Sequence, residues 1–111
     1  MASSRQPDAL VGRWIHSWEE DSGENRTYRR EGFDFPLSRR PRQVVDLMAD
    51  GHFVSRSGGP ADATVAREGR WEARNSVLLT LQQDPDAEAI LEIMDLQERL
   101  LTVRQLRGTI E

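Results

Sequence analysis

A histidine between two tryptophans is the feature of this sequence best suited to chemistry. His16 lies midway between Trp14 and Trp18, and because side chains alternate along a strand, all three would share one face. An imidazole among indole rings can hydrogen-bond a ligand, or it can act as a general base beside a carboxylate. We take Asp46 as the candidate carboxylate for such acid–base chemistry. A core histidine satisfied by a neighbouring side chain is the competing interpretation.

Further side chains could line a cavity together with this cluster. Tyr28 is the only tyrosine, and its hydroxyl would be a hydrogen-bonding group at the edge of an apolar space. Arg56 would anchor an acidic group, and Trp71 would supply another aromatic wall. The candidate ligand-binding residues are Trp14, His16, Trp18, Tyr28, Arg56, Trp71 and Arg104.

Missing residue types exclude several classes of chemistry. The chain has no cysteine, and all 15 of its basic residues are arginine. Thiol nucleophiles, disulfides and lysine Schiff bases are therefore excluded. Only two histidines occur, His16 and His52, so a three-histidine metal site cannot form within one chain. We expect neither a metal nor another cofactor.

Charge and hydropathy bear on the partners and on the location. The formal net charge is −4 at pH 7, whereas nucleic-acid binding needs a basic face, so no nucleic-acid partner is expected. The first residues are polar and no long apolar stretch follows them, which predicts neither a signal peptide nor a membrane span. A cytoplasmic location is the default expectation.

Short segments punctuated by Gly, Asp, Asn and Pro indicate β-strands. Residues 1–9 are predicted to be a disordered tail, and residues 10–111 a single domain. The eight predicted strands cover residues 11–18, 25–33, 42–49, 52–57, 66–73, 76–83, 88–95 and 99–106. Residues 87–98 could also form an amphipathic helix, although a strand is favoured because the segments on both sides are β.

Tight turns between these strands predict the architecture. Asp50-Gly51 is a two-residue hairpin signal, and similar turns make successive strands pair in antiparallel fashion. A flat sheet would leave two unpaired edges, whereas closure removes them. The predicted fold is therefore all-β: an eight-stranded antiparallel up-and-down β-barrel.

A set of short motifs carries a family resemblance. In chain order it comprises Leu10/Gly12/Trp14, residues 35–39, Asp50-Gly51-His52-Phe53, Gly69-Arg70-Trp71, and Leu79/Leu81. This ordered set resembles the short bacterial lipocalin-like barrels of the calycin group. The resemblance implies that Trp14 plugs one end of the barrel and that a late-strand arginine, Arg104 or else Arg107, lies across the indole. True lipocalins are longer, secreted and often disulfide-bonded, so their transport role does not carry over.

The tripeptide Gly-Arg-Trp occurs at residues 12–14 and again at residues 69–71. Glycine lets a neighbouring element approach closely, and tryptophan fills a core. We therefore interpret both copies as structural.

Charge is distributed unevenly along the chain. Residues 26–42 hold six arginines and two acids, whereas residues 84–98 hold six acids and no base. The two stretches could meet within one barrel, pair head to tail in a dimer, or steer an anionic ligand to the arginines.

The predicted function is binding of a small apolar or aromatic molecule, which could be anionic, inside the barrel. A small enzyme of the isomerase or cyclase type that uses His16 is one alternative, although no catalytic motif supports it. A homodimeric interaction module with a filled barrel is the other, since side chains can fill an eight-stranded barrel completely. The expected partner is thus a small-molecule ligand, with a second copy of the chain as the alternative.

Overall fold

Eight β-strands form the described part of the chain. The computed structural model describes residues 9–37, 41–58, 64–74, 78–83 and 87–108. The strands are β1 (Gly12–His16), β2 (Asn25–Arg30), β3 (Val44–Leu47), β4 (His52–Gly58), β5 (Thr64–Arg74), β6 (Leu78–Gln83), β7 (Ala87–Gln97) and β8 (Leu100–Arg107), and a turn of 3-10 helix covers Trp18–Glu20. The segment with two interpretations is thus a strand, β7. The predicted tail lies outside the described residues, except for Ala9.

The eight strands close into a barrel in which all paired neighbours are antiparallel. The order around the wall is β1-β2-β8-β7-β6-β5-β4-β3, and β3 pairs back to β1. The predicted fold class is therefore confirmed. Strands β3 to β8 follow one another around the wall, whereas the β1–β2 hairpin closes it, with β2 against β8 and β1 against β3. Strands β2 and β3 consequently lie on opposite sides of β1.

Strand β1 ends two residues earlier than the sequence pattern predicts. The amide of Asp21 donates to the Trp18 carbonyl oxygen (3.1 Å), which closes the turn of 3-10 helix. Trp18 therefore leaves the strand. It does not follow the alternation that places Trp14 and His16 on one face.

Inward-facing side chains fill the barrel. Trp14 and Trp71 are only 1% and 2% exposed, as expected for the two Gly-Arg-Trp copies. The buried core consists of Leu10, Trp14, Tyr28, Val45, Leu47, Phe53, Trp71, Leu79, Leu81, Ala89, Leu91, Leu101 and Val103. These side chains leave an apolar cavity of about 20 Å³, which is room for about one water molecule.

One end of the barrel, which we call the plugged end, is where β1 begins and β2 ends. The Trp14 indole N–H donates to the Leu10 carbonyl oxygen (2.9 Å). The guanidinium carbon of Arg30 lies 3.7 Å from the centroid of the indole ring. Arg30 also donates to the carbonyl oxygens of Ala9, Val11 and Glu98 (3.0, 3.0 and 3.2 Å). This side chain therefore ties the start of β1 and the β7–β8 turn to the plug.

The arginine over the indole is Arg30, not Arg104 or Arg107 as expected. Trp14 and Arg30 are directly opposite in the β1–β2 pairing, so their side chains share the inner face. Arg104 lies on the outer face because its neighbour Val103 fills the core.

Candidate functional site

The other end of the barrel, which we call the mouth, carries a row of hydrogen-bonded polar side chains. The Tyr28 hydroxyl donates to Gln43 Oε1 (2.8 Å), and Gln43 Nε2 donates to Ser55 Oγ (3.1 Å). Tyr28 and Ser55 are 2% and 0% exposed, and Tyr28 also lines the small internal cavity. This polar row, Tyr28–Gln43–Ser55, therefore separates the apolar core from the mouth.

His16 packs on the polar row and is held by a carboxylate. Its ring stacks on the Tyr28 ring with 5.1 Å between centroids, and the Trp18 ring meets it edge-on. His16 Nε2 is 2.8 Å from Asp21 Oδ2. The other oxygen of Asp21 accepts a hydrogen bond from the Thr27 amide (2.8 Å), which fixes the carboxylate. An imidazole oriented in this way can bind a ligand group or act as a general base.

Arginines add positive charge at the mouth. Arg26 precedes Tyr28 by two residues in β2, so the two side chains share the inner face. Burial raises the pKa of the Tyr28 hydroxyl to about 12, and the nearby Arg26 guanidinium acts in the opposite direction. On another wall, Arg67 is directly opposite Ser55 in the β4–β5 pairing and therefore also takes an inner-face position.

An open cleft of about 440 Å³ adjoins these residues. It is lined by Asp21, Gly23, Glu24, Asn25, Arg26, Gln105, Leu106, Arg107 and Gly108. Asp21 and Arg26 line the cleft and also belong to the surroundings of His16 and Tyr28, so the cleft adjoins the polar row at these two residues. We call the set His16, Asp21, Arg26, Tyr28, Gln43 and Ser55 the mouth cluster. Residues 59–63 and 84–86 lie outside the described residues.

Arg42 fixes the link that carries Gln43. Its guanidinium carbon lies 4.4 Å from the centroid of the Trp18 ring and 4.7 Å from that of Phe35. It donates to both carboxylate oxygens of Glu19 (2.8 and 2.7 Å). Chiefly because of these hydrogen bonds, the pKa of Glu19 falls to about 2. This arrangement, which we call the Arg42 clasp, joins the 31–43 link to the 3-10 turn.

The structure brings some of the predicted site residues together and separates others. Trp14, His16 and Tyr28 lie at neighbouring inner-face positions of β1 and β2. Trp18 lies beside His16, although it is on the 3-10 turn rather than on β1. Trp71 is at the plugged end, where its indole N–H donates to the Met48 carbonyl oxygen (2.8 Å).

Asp46 is not the partner of His16. It lies on the outer face of β3, where it accepts hydrogen bonds from Arg13 and Arg56 (2.8 Å each). These bonds, that from Arg13 above all, lower the pKa of Asp46 despite its partial burial. The predicted His16–Asp46 pair does not form because both strand neighbours of Asp46 point into the core.

Arg56 and Arg104 also lie outside the barrel. Arg56 is held by Asp46, and Arg104 forms an ion pair with Glu92 across the β7–β8 pairing. Neither side chain belongs to the mouth cluster, whose arginine is Arg26 instead.

Four members of the mouth cluster are not singled out by the sequence pattern: Arg26, Gln43, Ser55 and Asp21. Strand alternation carries a signal for the first three, because each is two residues from a buried side chain of the same strand or its extension. Asp21 belongs to a turn, where no periodicity places a side chain.

Comparisons with known proteins return no match among family models, curated proteins or solved structures. Within the described ranges, no group of three or more His, Asp or Glu side chains is arranged to hold a metal ion. In the same part of the chain, no helix has the length and apolar character needed to cross a membrane. The fold thus defines a class, an eight-stranded antiparallel closed β-barrel with one plugged end and one polar mouth.

Proposed function

We propose that the protein binds a small molecule at the mouth of its barrel. The contrast between the two ends is the observation that carries this proposal. At the plugged end an indole and an arginine close the core. The mouth instead buries the hydrogen-bonding groups of Tyr28, Gln43 and Ser55, where apolar side chains would close the core at lower cost. A few placed polar groups beside an apolar region are typical of ligand sites, because they fix the orientation of the ligand.

The available space supports a position over the polar row rather than deep in the barrel. The internal cavity of about 20 Å³ holds at most one or two ligand atoms. The cleft of about 440 Å³ lies within the range of roughly 300–1,000 Å³ that is usual for ligand sites. The proposed ligand is therefore small, and it would lie in the cleft beside Asp21 and Arg26, with His16, the partner of Asp21, at its edge.

We further infer that the barrel is lipocalin-like. Gly12 has a φ of +124°, and a Cβ there would collide with the guanidinium of Arg30. The Gly-x-Trp motif therefore makes room for an arginine across the Trp14 plug. This supports the resemblance seen in the sequence, with the arginine supplied by β2.

Tryptophan fluorescence provides the first test, because the three tryptophans lie at different ends. Trp18 is at the mouth, whereas Trp14 and Trp71 are at the plugged end. We would titrate the protein with a panel of small aromatic acids, aliphatic acids, phenols and alcohols. A ligand at the mouth should give a saturable change that is lost in Trp18→Phe and retained in Arg56→Gln, which alters only the outer face.

Amide NMR shifts then locate any compound that binds. The proposal expects shifts in the 3-10 turn and around Tyr28, Gln43 and Ser55. A second groove, of about 610 Å³, lies elsewhere and is lined in part by Arg70, Thr80 and Ile90. Shifts confined to that groove, or a panel without a single saturable binder, would show that the mouth is not a ligand site.

A further inference from the structure

His16 is fixed in one tautomer by the carboxylate beside it. An ionised carboxylate only accepts hydrogen bonds, so the 2.8 Å contact of Asp21 Oδ2 requires the proton to be on His16 Nε2. In the neutral ring, Nδ1 then carries a lone pair and is a hydrogen-bond acceptor. Stacking on Tyr28 and the edge-on contact with Trp18 hold the ring in this orientation.

The acceptor atom of His16 is accessible. No hydrogen bond to Nδ1 is found among the described residues, and Nδ1 is not one of their buried atoms that lack a partner. An unbonded polar atom that is not buried is in contact with solvent. The side chain as a whole is 16% exposed, so Nδ1 is the part of the ring that a donor on a ligand can reach.

Arg26 supplies a cation on β2, the strand that pairs with the strand of His16. It lies two residues before Tyr28 on the inner face, and it lines the cleft. None of the ion pairs within the described ranges includes Arg26. The other charged groups of the cleft are Asp21, Glu24 and Arg107. Both oxygens of Asp21 are already bonded to other groups. Arg26 and Arg107 are thus the cations of the cleft that no ion pair of the described residues includes, and Arg26 is the one on the strand that pairs with His16.

We propose that the mouth recognises small hydroxy acids. The carboxylate would lie against Arg26, and the hydroxyl would donate to His16 Nδ1. His16 is directly opposite Tyr28 in the β1–β2 pairing, and Arg26 lies two residues before Tyr28 on the same face. His16 and Arg26 are therefore diagonal neighbours about 7–8 Å apart in the backbone. A hydroxybenzoate presents its acid and its hydroxyl at such a separation. This inference rests on the proposed function, because it names the ligand class of the same site.

Matched probes separate the two contacts. We would measure affinities for 3- and 4-hydroxybenzoate, for benzoate, which lacks the donor, and for the hydroxybenzyl alcohols, which lack the anion. We expect the better hydroxybenzoate to bind about tenfold more tightly than benzoate, which is the effect of one net hydrogen bond to a partly exposed acceptor. The alcohols should bind about tenfold more weakly than the acids.

Variants assign each preference to its residue. His16→Phe keeps a ring to stack on Tyr28 but removes the acceptor, so it should make benzoate and hydroxybenzoate equal. Arg26→Gln should weaken both acids and leave the alcohols unchanged. Arg56→Gln, an arginine on the outer face, should behave as the unaltered protein. Equal binding of hydroxybenzoate and benzoate by the unaltered protein would overturn the proposal.

The tautomer can be checked without any ligand. Long-range nitrogen–proton NMR spectra of His16 in the unaltered protein should show the proton on Nε2, whereas a proton on Nδ1 would overturn the inference even if binding is observed.

A mouth that binds other molecules but none of these acids would refute the ligand class and leave the proposed function intact. Absence of any binder at the mouth would refute both.

Discussion

Tyr28 is the residue on which the construction of the mouth most depends. Its hydroxyl is buried beneath the mouth and bonded to Gln43, so ionisation would create a charge that water cannot solvate. Burial accordingly raises the pKa from its usual 10.0 to about 12. Because the pKa is higher in the folded state, the stabilisation is complete below pH 10 and is lost as the pH rises through about 12.

An alkaline titration tests this environment cleanly, because the chain contains one tyrosine. Absorbance of the phenolate should rise with a midpoint near 12 in the folded protein and near 10 in concentrated urea. The free energy of unfolding should decrease across the same interval. A midpoint near 10 under folding conditions would contradict the burial of the Tyr28 hydroxyl.

Arg30 is expected to contribute more to the free energy of unfolding than the arginines of the outer face do. Replacing it with Met removes a cation–π contact and the donor to three carbonyl oxygens. We expect a loss of about 2–4 kcal/mol in the free energy of unfolding. Arg104→Met, which removes one ion pair on the outer face, should cost at most about 1 kcal/mol. Urea unfolding measures both, and equal losses would be inconsistent with the assignment of Arg30 to the plug.

Gly12 is required by Arg30 as well as by its own backbone. Gly12 and Gly32 both have positive φ, +124° and +97°, so alanine is strained by about 1–2 kcal/mol at either position. Only at Gly12 would the new Cβ collide with a guanidinium, whereas the space around Gly32 is open. Gly12→Ala should therefore destabilise more than Gly32→Ala. In an Arg30→Met background, Gly12→Ala and Gly32→Ala should destabilise the protein equally. If Gly12→Ala still destabilises more there, the collision with Arg30 is not the cause.

Residue identities could be predicted better than residue pairings. The burial of Trp14 and Trp71 follows from sequence type alone, because large indoles need a core. The partner of His16 could not be predicted, since Asp21 comes from a turn and Asp46 lies on a strand whose face depends on register. The contact of Arg30 with Trp14 could not be predicted either, because it depends on the β1–β2 register, which places the two residues opposite each other.

At the scale of elements, the Arg42 clasp holds the 31–43 link against the 3-10 turn, and it should be sensitive to acid. The pKa of Glu19 is lowered from 4.5 to about 2 by its hydrogen bonds with Arg42. A carboxyl whose pKa is lower in the folded state stabilises the fold above its unfolded pKa. That contribution decreases as the pH falls from 4.5 to about 2.

Urea unfolding at neutral pH and at several pH values between 4.5 and 2 tests the clasp. We expect Glu19→Gln to be less stable than the unaltered protein at neutral pH and the two to converge as the pH approaches 2. Glu24→Gln, which changes a carboxylate of the same β1–β2 connection, serves as the control for the loss of charge. A constant difference between Glu19→Gln and the unaltered protein at all these pH values would show that the ion pair is not responsible.

The strands themselves could be predicted because alternation and turn residues are local signals. The Asp50-Gly51 turn and the eight strands are found close to their predicted positions. Strand order was less accessible, since no local pattern places β1 between β2 and β3. The early end of β1 was also missed, because the turn at Trp18–Glu20 depends on backbone hydrogen bonds rather than on a strong sequence signal.

At the scale of the whole molecule, the uneven charge of the sequence is partly balanced within the barrel. Arg29 and Arg42 of the basic stretch pair with two carboxylates of the 3-10 turn (2.6 and 2.7 Å). Glu92 of the acidic stretch pairs with Arg104. Arg39 and Arg40 lie outside the described residues. In the described part of both stretches, the carboxylates that pair with Arg29 and Arg42 come from the adjacent turn and not from the acidic stretch.

Barrel closure also bears on association between copies. Each of the eight strands has two neighbours, so no described strand offers a free edge to a second chain. Among the described residues, the exposed large hydrophobic ones are Phe33, Leu37, Met48, Met94 and Leu106. Phe33 and Leu37 lie between β2 and β3, and the other three belong to three further segments, whereas a stable interface needs a contiguous patch.

We therefore predict a monomer of 12.7 kDa in solution, measured by light scattering after size exclusion at low and high salt. Without a free edge, the remaining route to a dimer is attraction between the basic and acidic stretches, and this attraction would weaken as salt screens it. A dimer at low salt that dissociates at high salt, and that is lost in Arg29→Gln, would support the interaction module. A monomer at both salt concentrations would argue against the interaction module, and binding of a small molecule at the mouth would remain the proposed function.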